Sequence, residues 1–106
     1  MSLPIRRSDT FVVDVASQFA WYLENADESI AWRFVDAVDA TLTSLALHPE
    51  QGRARNFRDP RLLHLRSFRV DLPFERILIF YRPTEDALHA WRLMSGTRDL
   101  PHRLAE

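Results

Sequence analysis

The sequence predicts an α+β fold, in which an N-terminal antiparallel helical hairpin packs on one face of a three- to four-stranded antiparallel β-sheet. The first half of the chain carries two stretches with apolar residues at three- and four-residue spacing, as amphipathic helices require. The second half carries runs of strand-forming residues separated by turn residues, as a β-hairpin requires. With 106 residues, we expect a single domain spanning residues 1–106 around one hydrophobic core.

Two helices are predicted before Pro49. The first spans roughly residues 9–26, with Ser8 or Asp9 as its N-cap, and the second runs from near Glu28 until Pro49 stops it. The apolar positions of the first helix are Val12, Val15, Ala16, Phe19, Ala20 and Leu23, and those of the second are Ile30, Ala31, Phe34, Val38, Leu42 and Leu45. Because the join between them is so short, the two helices must run antiparallel.

The remaining segments predict the sheet. They are a short edge strand within residues 3–7, a mobile basic loop over residues 49–61, strands over residues 66–70, 77–82 and 88–94, and a short C-terminal turn of helix over residues 97–104. The turn residues Pro83, Thr84, Glu85 and Asp86 join the last two strands, so these strands are expected to pair antiparallel.

Both faces of this hairpin are predicted to be apolar. Alternation on the first of its strands places Ile77, Ile79 and Tyr81 on one side and Arg76, Leu78, Phe80 and Arg82 on the other. On the last strand it places Leu88, Ala90, Arg92 and Met94 opposite His89, Trp91 and Leu93. A sheet with helices on one side only should have a polar second face, so this pattern predicts that a protein partner covers part of that face.

Charge is unevenly distributed along the chain. Residues 1–50 hold 3 arginines and 8 acidic residues, a net charge of −5, whereas residues 51–106 hold 11 arginines and 7 acidic residues, a net charge of +4. All 14 basic residues are arginine, which is typical either of planar contacts with carboxylates and phosphates or of a codon bias. Two poles of opposite charge favour the docking of an acidic partner on the basic half.

The composition excludes several classes of protein. The chain has no cysteine, so it has neither disulfides nor thiolate chemistry, and it has no apolar run near ~18 residues that would span a membrane. Since no secretory signal is recognisable, we expect a cytoplasmic protein. His48, His64 and His89 lack the spacing of metal ligands, so neither a metal site nor a cofactor is predicted.

Four short motifs follow the predicted helices in a particular order. They are Pro49-Glu50-Gln51-Gly52, Leu65-Arg66, Ile79-Phe80-Tyr81-Arg82 and Arg92-Leu93-Met94-Ser95-Gly96-Thr97-Arg98-Asp99-Leu100. Together with the helical hairpin, these motifs resemble the ParE/RelE superfamily of bacterial type II toxins over nearly the whole chain. This resemblance implies the same α+β fold that the residues predict.

The resemblance implies one of two activities. RelE-like members cleave messenger RNA on the ribosome with lysines, arginines and a late Tyr or His, whereas ParE-like members poison DNA gyrase without chemistry of their own. Cleavage of RNA needs a base, an acid and cations around the phosphorane. The chain has no lysine and no tyrosine after Tyr81, Leu78 replaces an arginine of the nuclease branch, and Ser95 replaces a common histidine. The ParE-like branch, which has no catalytic residue, is therefore favoured.

Candidate site residues follow from this reading. The partner-binding candidates are Arg66, Arg92, Arg98, Trp91 and Leu93, and if the protein were a nuclease its catalytic candidates would be Arg76, Arg98 and His102. Structural alternatives stay open, since Arg92 can form a buried salt bridge, Trp91 can belong to the core, and Arg98 can pair with Asp99.

Partners are predicted from the same resemblance. A ParE-like protein is expected to bind DNA gyrase and to be neutralised by a ParD-like antitoxin of the ribbon-helix-helix type. The runner-up, an mRNA endonuclease, would instead engage the ribosome and mRNA. A third reading is a module that has lost toxicity and only binds its antitoxin.

Overall fold

The structure is a computed structural model that describes residues 1–95. Its two helices are α1 (Asp9–Asn25) and α2 (Glu28–Leu47), and its five strands are β1 (Ile5–Arg7), β2 (Arg53–Ala54), β3 (Arg66–Arg69), β4 (Ile77–Pro83) and β5 (Leu88–Ser95). Short 3-10 turns cover Pro49–Gln51 and Pro60–Leu62. The predicted turn of helix over residues 97–104 lies outside the described residues.

Both helices begin at side-chain caps. The Ser8 hydroxyl accepts a hydrogen bond from the Phe11 N–H at 3.0 Å, and the Asp27 carboxylate accepts one from the Ile30 N–H at 2.8 Å. Each cap satisfies a backbone donor that the first helical turn leaves unpaired. The Ser8 hydroxyl also donates to the Trp91 carbonyl at 2.7 Å, so the start of α1 is tied to β5. The predicted helical hairpin is confirmed.

The sheet has the strand order β1-β5-β4-β3-β2, in which β1 runs parallel to β5 and every other pairing is antiparallel. The predicted α+β class is confirmed, but the predicted count of three to four antiparallel strands was too low. The parallel pairing of β1 with β5 needs a crossover connection, and α1 and α2 lie within that connection. The other edge strand, β2, has only two residues and lies inside the segment predicted to be a loop.

The main core lies between the helices and the sheet. The predicted apolar stripe of α2 is confirmed, since Phe34, Val38 and Leu42 are buried in it. On α1 the prediction is wrong in part, because Phe11 is the fully buried residue while Val12 is 50% exposed. The apolar surface of α1 is wider than the strip that β5 and α2 cover, so sequence spacing alone does not identify which side is buried.

A β-bulge in β5 changes which side chains share a face. Tyr81 pairs with Ala90 while Phe80 pairs with Arg92, so Trp91 is the additional residue. After Ala90 the predicted alternation is therefore wrong. Leu93 now shares the helix-covered face with Ala90, whereas Met94 lies in the smaller core cluster on the other face of the sheet.

We call this other face, which carries Ser67, Leu78 and Phe80, the second face. Residues 55–65, which we call the strap, cover part of it with the fully buried Leu62 and Leu65. The segment predicted as a mobile loop over residues 49–61 contains β2, and the buried leucines lie directly after it. Part of the covering that was expected from a protein partner thus comes from the chain itself.

Candidate partner-binding surfaces

Arg92, predicted to bind a partner, is held inside the molecule. Its Nε lies 2.7 Å from Oδ2 of Asp14 on α1, and its Nη2 lies 3.2 Å from Oδ1. The same carboxylate accepts a hydrogen bond from the Leu93 N–H at 3.0 Å. The two side chains are 13% and 14% exposed, so the ion pair is largely removed from water. The structural alternative is favoured, with Arg92 joining α1 to β5.

Trp91 and Leu93, also predicted to contact a partner, point to different sides of the sheet. Leu93 is buried in the main core and offers no surface to a partner. Trp91 is half-buried at the edge of the second-face cluster, with the guanidinium carbon of Arg82 5.9 Å from its ring centroid. Only Trp91 of this pair therefore presents a surface that a partner can reach.

Arg66, another predicted contact residue, holds the loop that follows α2. Its Nη1 donates to the Gly52 carbonyl at 2.8 Å and to the Glu50 carbonyl at 3.3 Å. The Tyr81 hydroxyl donates to the Pro49 carbonyl at 2.7 Å and accepts from the Gly52 N–H at 2.9 Å. Burial raises the pKa of Tyr81, although the Gly52 N–H and the charge of Arg66 act in the opposite direction. Three of the sequence motifs therefore meet in one structural network.

Arg82 also binds backbone carbonyls, in this case those of the strap. Its Nε donates to the Leu63 carbonyl at 2.8 Å and its Nη2 to the Arg61 carbonyl at 3.0 Å. The ends of the strap are joined by a backbone hydrogen bond of 2.9 Å from the Arg55 N–H to the Leu65 carbonyl. Arginine thus serves here to bind backbone carbonyls, a use that the composition did not reveal.

Arg76, the nuclease candidate on the sheet, lies in a cleft of about 530 Å³ between α1 and the end of the hairpin. Trp21 and Tyr22 line the same cleft, as does Asp14, whose carboxylate is bound to Arg92. The other nuclease candidates, Arg98 and His102, lie outside the described residues, and so does Arg98 as a partner contact. The structure therefore places only one member of that predicted set.

An apolar groove runs between the exposed sides of α1 and α2. It has a volume of about 300 Å³, and its side chains include Val12, Val15, Phe19, Trp32 and Val35. Trp32 is 53% exposed, and its ring packs edge-on against Phe19 with a centroid separation of 4.9 Å. Sequence reasoning assigned most of these residues to the core, although the unusual width of the apolar surface on α1 was a signal for a second contact.

A further cleft lies beside the strap, with a volume of about 460 Å³. His64 lines it together with Arg55 and Arg66. The backbone of His64 has a φ of 65°, a left-handed conformation that non-glycine residues adopt uncommonly. Sequence reasoning did not select His64, because the strap brings it to the arginines only in the folded chain.

Between residues 1 and 95, no group of three or more His, Cys, Asp or Glu side chains is placed to hold a metal ion. In that part of the chain neither α1 nor α2 combines the length and apolar character that crossing a membrane requires.

Comparison with solved structures establishes the fold. The chain is similar to a solved structure of the chromosomal ParDE TA system from P. aeruginosa, with a TM-score of 0.72 and 12% sequence identity. The match covers 91% of this chain and 98% of the other, and at this identity it establishes the fold. No curated protein sequence matches the chain.

The family is established by the sequence itself. Residues 5–100 match the family described as the ParE toxin of the type II toxin-antitoxin system parDE. The chain therefore belongs to the ParE toxin family, and the resemblance predicted from its motifs is confirmed. It is a ParE-type toxin of a ParDE toxin-antitoxin system.

Proposed function

We propose that this ParE-type toxin inhibits DNA gyrase in the cytoplasm by binding it, without catalysis, and that a ParD-like antitoxin neutralises it. The proposal that the toxin acts without catalysis is supported by the scarcity of proton-transfer groups in its clefts. Cleavage of RNA needs two proton-transfer groups around one phosphate. Within residues 1–95, the clefts that combine arginines with His64 or His89 contain one imidazole each and no carboxylate. The Tyr81 hydroxyl is fully buried and bonded on both sides.

Purified toxin should therefore block gyrase directly. We expect inhibition of supercoiling, or trapped cleavage complexes, in an assay that contains only gyrase, relaxed plasmid, ATP and toxin. His64→Ala should inhibit to the same extent, since the proposal assigns no chemistry to this side chain. Gyrase that is unaffected by folded wild-type toxin would contradict this target.

The apolar groove of the helical hairpin supports the proposed antitoxin contact. A groove between two helices fits the apolar side of a further amphipathic helix, and a ParDE system implies an antitoxin partner. Val12→Glu places a charge in this groove and should weaken antitoxin binding at least tenfold in a titration. Val13→Glu is the matched control, because Val13 is 60% exposed and lies outside the groove. Equal effects of the two variants would argue against docking in the groove.

An mRNA endonuclease is the second candidate. It is favoured by the position of His64 beside Arg55, which would place one imidazole and one cation at a phosphate. Primer extension on translated messages after induction separates the two functions. Cuts within codons that disappear in His64→Ala would support the nuclease, whereas intact messages with inhibited gyrase support the proposed toxin. If induction leaves growth unchanged, the chain is an antitoxin-binding module without toxicity.

A further inference from the structure

Three arginines lie around Ser67 on the second face of the sheet. Arg53 of β2 is directly opposite Ser67 of β3 in the strand register, and directly paired residues point to the same face. Arg69 follows Ser67 by two positions on β3, so it shares that face as well. The Nε of Arg55 donates to the Ser67 hydroxyl at 2.8 Å, which brings a third guanidinium to the same place.

The environment of Arg55 differs from that of an ordinary surface arginine. Its guanidinium carbon lies 5.8 Å from the centroid of the Phe80 ring, and its side chain is half-buried. Burial lowers the pKa of Arg55, and the positive charge of Arg53 lowers it further. The fold therefore holds the half-buried guanidinium of Arg55 near the like charge of the exposed Arg53.

This positive charge is not balanced within the described part of the chain. Among residues 1–95, the ion pairs are Arg7 with Asp39, Arg61 with Asp59 and Arg92 with Asp14, and none of them involves the arginines around Ser67. Neighbouring arginines are already engaged, since Arg66 and Arg82 bind backbone carbonyls. Three guanidinium groups without an ion pair among residues 1–95 thus stand together at one edge of the sheet.

We propose that Arg53, Arg55 and Arg69 form a carboxylate-binding site for an acidic segment of a protein partner. A planar guanidinium binds a carboxylate through two parallel hydrogen bonds, and the Phe80 ring holds that of Arg55 in a fixed orientation. Arginine beside aromatic side chains is also the composition typical of protein interfaces. The inference concerns the ligand chemistry of this face and holds whether or not gyrase is the target.

The size of the cluster favours a protein over a nucleic acid. Three guanidinium groups balance at most three single negative charges, whereas a protein bound to a nucleic-acid backbone makes about 6–10 phosphate contacts. The helical layer adds to this preference, because residues 9–47 carry 7 acidic residues and one arginine, a net charge of −6. An extended polyanion would be repelled by that layer, while a short acidic segment reaches the arginines alone.

NMR titration with a triglutamate peptide tests the site. We expect the Arg55 Nε–Hε signal and the Ser67 amide signal to shift, with saturation that a triglutamine peptide does not reproduce. Arg55→Gln should weaken peptide binding about tenfold, and Arg53→Gln and Arg69→Gln about threefold each. Arg33→Gln is the control of equal charge change, since Arg33 is exposed on α2. Backbone spectra of each variant establish that it is folded.

Every outcome of this titration is decisive. Loss of binding in the cluster variants but not in Arg33→Gln supports the site. Equal weakening by Arg33→Gln would mean that net charge alone attracts the peptide, and this would overturn the proposal. If the peptide does not bind to the wild-type protein, the proposal is also overturned. This holds whether or not a 20-mer RNA or duplex DNA shifts the same signals.

Discussion

Breaking the ion pair between Arg92 and Asp14 should destabilise the protein strongly. Removing one member of a largely buried pair leaves the other charge without compensation, at a cost of roughly 3–5 kcal/mol. Because each of these side chains keeps 13–14% of its surface exposed, we expect the lower end, about 3 kcal/mol, for Arg92→Met. For a domain of this size, that free energy corresponds to a fall in Tm of roughly 12 °C or more.

A double-mutant cycle isolates the interaction itself. In Arg92→Met combined with Asp14→Asn neither charge remains, and the asparagine carbonyl still accepts the hydrogen bond from the Leu93 N–H. The double variant should therefore be more stable than either single variant, with a loss of only about 1 kcal/mol relative to wild type. Urea denaturation followed by tryptophan fluorescence and by circular dichroism measures all four proteins.

A surface pair in the same molecule provides the control. Arg7 and Asp39 are 3.4 Å apart but 40% and 60% exposed, so their coupling energy should be no more than about 0.5 kcal/mol. If Arg92→Met costs no more than Arg7→Met, or if the losses in the first cycle simply add, the structural role assigned to Arg92 is wrong. Arg92 would then return as a candidate for partner binding.

Other substitutions test the loop network and the strap. Gly52→Ala should cost about 1–3 kcal/mol, measured by urea denaturation, because a Cβ there would lie 2.2 Å from the Tyr81 hydroxyl oxygen. The pKa of Tyr81 is raised in the folded state, so its neutral form contributes stability that is complete below pH 10 and is lost as pH rises through the folded pKa. Tyr81→Phe should accordingly show a smaller loss of unfolding free energy above about pH 10 than wild type. Leu62→Ala should cost about 2–5 kcal/mol through the cavity it leaves, whereas Leu63→Ala, at a 47% exposed position, should change stability by less than about 0.5 kcal/mol.

Local sequence signals were sufficient for the helices and the hairpin, since each of these elements is specified by residues close together in the chain. Ser8, Asp27 and the turn after Pro83 act within a few positions of their own elements. The parallel pairing of Ile5 with Leu88 was not predictable in this way, because it joins segments that are separated by almost the whole described chain. The bulge at Trp91 has no local signal either, and it reversed the predicted facing of Leu93 and Met94.

The candidate surfaces were predicted less completely, for a related reason. An arginine has the same appearance in a sequence whether it binds a carboxylate, a backbone carbonyl or a partner. Arg66, Arg82 and Arg92 all turned out to have intramolecular acceptors supplied by distant segments. The arginines around Ser67 stand together only because β2 pairs with β3, and a two-residue strand is too short to predict from periodicity.

The position of β5 between β1 and β4 has a consequence for biosynthesis. Among residues 1–95, the last strand in chain order is an interior strand, and it supplies the acceptor for Ser8, 83 residues earlier. A nascent chain that ends before Leu88 lacks this strand and cannot close its main core. Contacts so remote in the chain form late and slowly, so the main core cannot close before β5 has been synthesised. A truncated product that ends before β5 would therefore be unfolded and open to proteolysis.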